Sequence, residues 1–187
     1  GKYPHLVGSA SNFMGSPEFA GGPRAFPTEY RHTDNYRNYE GMRTRIVLGS
    51  QDFIRWYHRR MNLIWNFTRP HHEHEEFDSV HGTPGMARTL AFHMAAFRDP
   101  LPKPALWHHA DVYPEFDVWG WSVSSDRETA GFTVLDNVGR DGFSSSVREW
   151  LPGGATLPRV TLKISTDASY RPGKSYAVTD VNLDTGE

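Results

Sequence analysis

Asp52 and His81 are the residues of this chain whose types and spacing best fit a chemistry. A carboxylate can fix the tautomer and orientation of an imidazole, and the imidazole can then take a proton from a nucleophile. Together they would be the acid and base of a hydrolytic triad. They are 29 residues apart (81 − 52), and each follows a stretch that reads as a strand. Asp52 has a plainer role open to it as well, since it can cap the helix expected to begin near Ile54.

The intervening segment must hold the two together. Thr44-Arg45-Ile46-Val47-Leu48 is a β-branched, apolar run that stops at Gly49. Ile54, Tyr57, Met61, Ile64, Trp65 and Thr68 then recur at three- and four-residue steps, which predicts one apolar face of a helix. Glu73–Phe77 runs extended into Asp78-Ser79-Val80-His81-Gly82. Beyond it, Thr83 suits an N-cap and Pro84 a first helical turn. Met86, Leu90, Met94 and Phe97 mark the face of a second helix expected to pack on the sheet.

The pattern strand–Gly-x-x-Asp, helix, strand–Phe-x-x-x-x-His-Gly, helix resembles the C-terminal part of an α/β-hydrolase, nearest to the putative-esterase and polyhydroxybutyrate-depolymerase-like branch. The resemblance covers roughly residues 1–98. It implies a triad in the chain order Ser, Asp, His, with Asp52 the acid and His81 the base. The family's nucleophile elbow, Gly-x-Ser-x-Gly, occurs nowhere in the chain. Ser9 and Ser11, in Val-Gly-Ser-Ala-Ser-Asn, lack its flanking glycines, and residues 1–12 look like the segment that follows the elbow in the family. The resemblance therefore implies that the chain begins after the nucleophile, with the serine on an N-terminal part of the hydrolase carried by a separate chain or segment.

Composition narrows the classes. Six Trp and a hydrophobic fraction of 37% suffice for a core, and a formal charge of −2 gives no reason to expect a nucleic-acid partner. Arg55, Arg59 and Arg60 read as a solvated helix face. Cysteine is absent, which removes disulfides, a thiol nucleophile and thiolate metal sites. No apolar run is long enough to span a membrane. His71, His72 and His74, with Glu73, Glu75, Glu76 and His81 nearby, could ligate a metal, but a solvated edge strand explains them more simply. No metal or cofactor is expected.

A long Gly- and Pro-bearing loop occupies roughly residues 15–28, and Tyr30, Tyr36 and Tyr39 lie in a turn or short helix before the Thr44 strand. Residues 100–104, between Asp99 and Ala105, form a Pro-rich linker. After it, Phe116–Trp121, Gly131–Val138, Phe143–Trp150, Arg159–Thr166 and Ser175–Leu183 read as strands of an antiparallel sandwich of immunoglobulin or fibronectin type. Tyr113, Phe116, Trp119 and Trp121 are expected in core or interdomain packing rather than on a sugar-stacking platform. Asp184–Glu187 reads as a hairpin turn lacking its return strand.

The expected fold class is thus α/β, the C-terminal part of an α/β-hydrolase sheet over 1–99, followed by an all-β sandwich over 105–187. The expected function is a serine hydrolase of carboxylic esters, this chain supplying acid and base. The alternative is a non-catalytic β-sandwich binding module on a degenerate hydrolase scaffold. A hydrolase with such an appendage favours a periplasmic or secreted location, though the sequence itself carries no address.

Overall fold

A computed structural model describes residues 1–15, 32–68, 71–157, 159–167, 170–171 and 173–182. Most of the 15–28 loop, Tyr30, the side chain of Tyr57 and the Asp184–Glu187 turn lie outside the described residues.

The first half is built on a parallel sheet in the order β1-β2-β3, with β1 at Ser9–Phe13, β2 at Arg43–Gly49 and β3 at His72–Phe77. Helix α1, Arg55–Thr68, connects β2 to β3, and α2, Met86–Arg98, follows β3. Strand residues alternate between the two faces. Ile46 and Leu48 pack with Met61 and Trp65 of α1, and Tyr39 and Met42 close that core. The opposite face is polar. Ser9 and Ser11 bond to His93 of α2, and buried Arg45 donates to Thr89 of α2 and to Glu73 and Glu75 of β3.

That polar face corrects the expected orientation of α2. Met86, Leu90, Met94 and Phe97 are exposed, whereas Thr89, Phe92 and Ala96 are buried. A helix laid over serines and an arginine must bring them hydrogen-bond partners, so its rotation follows Thr89 and His93 rather than its apolar stripe. The helix also starts later than Thr83-Pro84 implied, with Gly85 in the left-handed conformation at its N-cap.

Among the described residues the second half holds six strands in two antiparallel sheets. One has the order β4-β7-β8, from Trp107–Asp111, Phe132–Val138 and Ser144–Arg148. The other has the order β5-β6-β9, from Glu115–Val118, Trp121–Ser125 and Leu162–Ser165. Trp107, Leu135 and Val138 of the first sheet meet Phe116, Val118, Trp121 and Val123 of the second in one core. The run Phe116–Trp121 is not one strand: Trp119 and Gly120 both take positive φ, 52° and 84°, and turn β5 back into β6 as a two-residue hairpin. β4 went unread in the sequence, and Ser175–Asn182 forms no strand.

The α/β-hydrolase fold class is not met. Among the described residues the chain forms three separate three-stranded sheets and two α-helices, with only one sheet parallel. The second half likewise has six strands there, not the seven of an immunoglobulin domain. The strand–Asp–helix–strand–His pattern is local. It specifies one strand-helix-strand unit and says nothing of how many further strands the sheet contains.

The halves touch through buried polar contacts. Asn38, in the 3₁₀ turn Tyr36–Tyr39, donates to the Ala110 carbonyl at 2.7 Å and accepts from the Ala110 N–H at 2.8 Å, in place of a strand neighbour for β4. Residues 100–104 have no regular structure, and Lys103 Nζ donates to the Trp119 carbonyl at 2.8 Å. No helix among the described residues is long and apolar enough to cross a membrane.

Candidate active site at the carboxyl ends of the parallel strands

Asp52, His81 and Met14 each follow the C-terminal end of a strand of the parallel sheet, the edge at which open α/β sheets hold their ligands. The loops after β2 and β3 are knitted together. Ser50 N–H donates to the Phe77 carbonyl at 2.8 Å and Gln51 N–H to the Ser79 carbonyl at 3.1 Å. The Ser50 hydroxyl and the Gln51 amide both donate to Asp78 Oδ1. Gly49 is required here, because a Cβ on it would lie 2.3 Å from the Ser79 carbonyl oxygen.

This knitting brings Asp52 and His81 together. His81 Nδ1 lies 3.1 Å from Asp52 Oδ2. Asp52 is wholly buried, while the His81 side chain is 52% exposed. Asp52 Oδ1 accepts the Ile54 N–H at 3.0 Å, so one carboxylate both caps the entry to α1 and orients the imidazole. The helix N-terminus facing it favours negative charge. With Nδ1–H donated to Asp52, Nε2 of a neutral His81 carries the lone pair and is left to act as a base.

The surroundings are largely apolar. Phe53, itself exposed, lies with its ring 5.5 Å from that of His81. Met14 is buried at φ 47°, an uncommon backbone state outside glycine, and its Sδ accepts the Gly82 N–H at 2.7 Å. His58, on the first turns of α1, is wholly buried with neither ring nitrogen in a hydrogen bond among the described residues. Burial pushes its pKa below the ordinary value, against the pull of the nearby Met14 carbonyl and Asp52. His58 was not read from the sequence as a site residue, although its place three residues before Met61 puts it on the inward face.

The other sequence candidates lie elsewhere. The Ser9 and Ser11 hydroxyls are 2.8 Å from Nδ1 and Nε2 of His93, and not against His81. A neutral imidazole has one donor and one acceptor, so one serine donates to it and the other accepts. His72 is held by Thr44 and Asn62, and burial lowers its pKa to about 4. His74 is likewise pushed down, by burial first. Among the described residues no three His, Asp or Glu side chains are arranged to hold a metal ion. Phe116 and Trp121 are buried in the sandwich core. A cleft of about 340 Å³ beside Lys103, Trp107, Trp121 and Arg140 is lined by neither Asp52 nor His81.

Comparisons with protein-family models, curated proteins and solved structures found no match to this chain.

Proposed function

We propose that the chain carries the acid and base of a serine hydrolase of carboxylic esters, with the nucleophilic serine supplied by another polypeptide segment. The observation that supports this reading is the buried Asp52 carboxylate 3.1 Å from Nδ1 of a half-exposed histidine at a strand-end edge. A structural ion pair would not need its imidazole open to solvent. Among the described residues no serine or threonine hydroxyl is hydrogen-bonded to His81, which is why the nucleophile is assigned elsewhere.

In this mechanism the serine oxygen attacks the ester carbonyl carbon as its proton passes to His81 Nε2. Asp52 stabilises the imidazolium so formed and holds the ring in place. The tetrahedral intermediate expels the alcohol, which takes the proton from Nε2, and an acyl-enzyme remains. Water then attacks the acyl carbon with the same proton transfers and releases the acid.

The test is labelling with a fluorophosphonate, which captures activated serines, followed by intact-mass analysis of each polypeptide in the native preparation. Label on a co-purifying polypeptide, lost when His81 is replaced by Ala, supports the reading. Label at Ser9 or Ser11 would place the nucleophile in this chain, and absence of label anywhere would leave a non-catalytic binding module.

A further inference from the structure

The cleft of about 340 Å³ opens where residues 103–105 run past the turn that follows β7. That volume is at the small end for ligand cavities, which span ~300–1,000 Å³. Trp107, Trp121 and Val138 form its floor, each no more than 4% exposed. The two indoles meet edge to face with centroids 5.6 Å apart, and Phe143 meets Trp121 the same way at 5.2 Å. The turn is closed by the Gly139 N–H, which donates to the Gly142 carbonyl at 3.0 Å. A Cβ on Gly139 would lie 2.6 Å from Leu106 Cδ2, so turn and linker approach closely. The charged residues of the lining are Lys103, Asp167 and Arg140. Lys103 is ion-paired with Asp167 and donates to the Trp119 carbonyl at 2.8 Å, so those two charges cancel. Arg140 has no ion pair or hydrogen bond among the described residues.

We propose that this cleft binds a small carboxylate bearing one apolar ring, with the carboxylate on the Arg140 guanidinium and the ring on the Trp107–Trp121 floor. An exposed arginine is ordinary by itself. Here it lines a cavity whose other two charges are spent on each other, which leaves one net positive charge beside an aromatic floor. A guanidinium presents a planar fork of donors that fits a carboxylate with two parallel hydrogen bonds. A ring settling on the floor loses apolar surface to the protein and can meet the indoles edge to face, the arrangement they already adopt with each other. Other ligands fit less well. The unpaired guanidinium disfavours a cation. A saccharide needs an open ring face to stack on, and the indoles of Trp107 and Trp121 are only 2% and 4% exposed. The site is independent of Asp52 and His81, neither of which lines it.

The experiment titrates the ¹⁵N-labelled full chain with benzoate, benzyl alcohol and acetate, followed by ¹H–¹⁵N correlation spectra. Benzoate shifts the indole N–H signals of Trp107 and Trp121 and the amide of Gly139 saturably, with a Kd on the order of 1 mM for so small a ligand. Benzyl alcohol lacks the charge and acetate lacks the ring, and each binds at least roughly tenfold more weakly. Arg140→Gln changes an exposed residue, so the fold is not at stake. It weakens benzoate by roughly 10- to 100-fold, the equivalent of a hydrogen bond to a charged group, and leaves benzyl alcohol unchanged. Benzoate bound no more tightly than benzyl alcohol, or equally well by Arg140→Gln, overturns the carboxylate assignment. Acetate bound as tightly as benzoate overturns the ring. No saturable shift at Trp107, Trp121 or Gly139 up to about 50 mM benzoate overturns the site.

Discussion

Asp52 and His81 meet across 29 residues of chain, Oδ2 to Nδ1 at 3.1 Å, with the acid wholly buried and the base half exposed. The asymmetry suits the roles proposed for them. A carboxylate out of solvent holds one orientation, and an imidazole at the rim can reach a substrate. The carboxylate also caps α1 through Ile54, so the helix and the imidazole are tied to the same side chain.

Asp52→Asn therefore separates two functions. The amide oxygen can still accept the Ile54 N–H, but the amide nitrogen turned to His81 favours the wrong tautomer. If the pair serves a nucleophilic serine as proposed, fluorophosphonate labelling of the native preparation should slow by on the order of 10⁴-fold. Asp52→Ala also removes the cap and should cost a further ~1 kcal/mol in urea unfolding.

Gly49→Ala tests the knitted loops. Its Cβ would lie 2.3 Å from the Ser79 carbonyl oxygen and 3.0 Å from Met14 Cε, so the segment leading to His81 must shift. On the proposed reading of His81 as a base, a displacement near 1 Å costs roughly 10²-fold. The labelling rate should fall by about that factor, with far-ultraviolet circular dichroism unchanged.

Arg45 ties helix α2 to strand β3, bonding Thr89 of α2 and the carboxylates of Glu73 and Glu75. Its side chain is 3% exposed and that of Glu75 13%, against 56% for Glu73. Arg45→Ala should cost about 1.5–3 kcal/mol in urea unfolding, because it removes charge-assisted hydrogen bonds at a buried position, while Glu75 keeps Arg88 as a partner. Glu73→Ala should cost about 1 kcal/mol or less, since that partner is solvated.

Asn38 offers the same measurement at the junction of the halves. Asn38→Ala removes both partners of the Ala110 peptide groups, each bonded within 2.8 Å and buried. A loss of about 2–4 kcal/mol is expected from two orphaned backbone groups. A change below ~0.5 kcal/mol would show that the β4 edge finds other partners.

Acid should unfold the protein through two partly buried histidines. Burial lowers the pKa of His72 and of His108 to about 4 each. The unfolded chain takes up these protons near pH 6.5 and the folded chain only near 4, so the unfolded state binds more protons between those values. Stability is full above about pH 6.5 and declines as pH falls towards 4, by at most ~1.4 kcal/mol per pH unit for each such group. Urea titrations at pH 7.5, 6 and 5 measure the slope, and His72→Gln should make it shallower. A stability independent of pH across this window would contradict the burial of both rings.

Local patterns carried the first half well. The β-branched run before Gly49 became β2, the Glu73–Phe77 stretch became β3, and the three-and-four spacing of Met61 and Trp65 marked the inward face of α1. These signals are legible because strand and helix periodicity are properties of neighbouring residues. The same local reading failed at Phe116–Trp121, where two positive-φ residues in mid-run turn the chain back on itself.

The sequence alone determined that an acid follows one strand and a histidine the next, and that a helix joins them. Tertiary structure decided the rest. Among the described residues it set the sheet at three parallel strands instead of the expected hydrolase sheet, because strand number depends on pairings that no local pattern encodes. It turned α2 by its polar side towards the sheet, because Ser9, Ser11 and Arg45 needed partners more than Leu90 and Phe97 needed cover. It also buried His58 on the inward face of α1, a placement that only three-dimensional packing can specify.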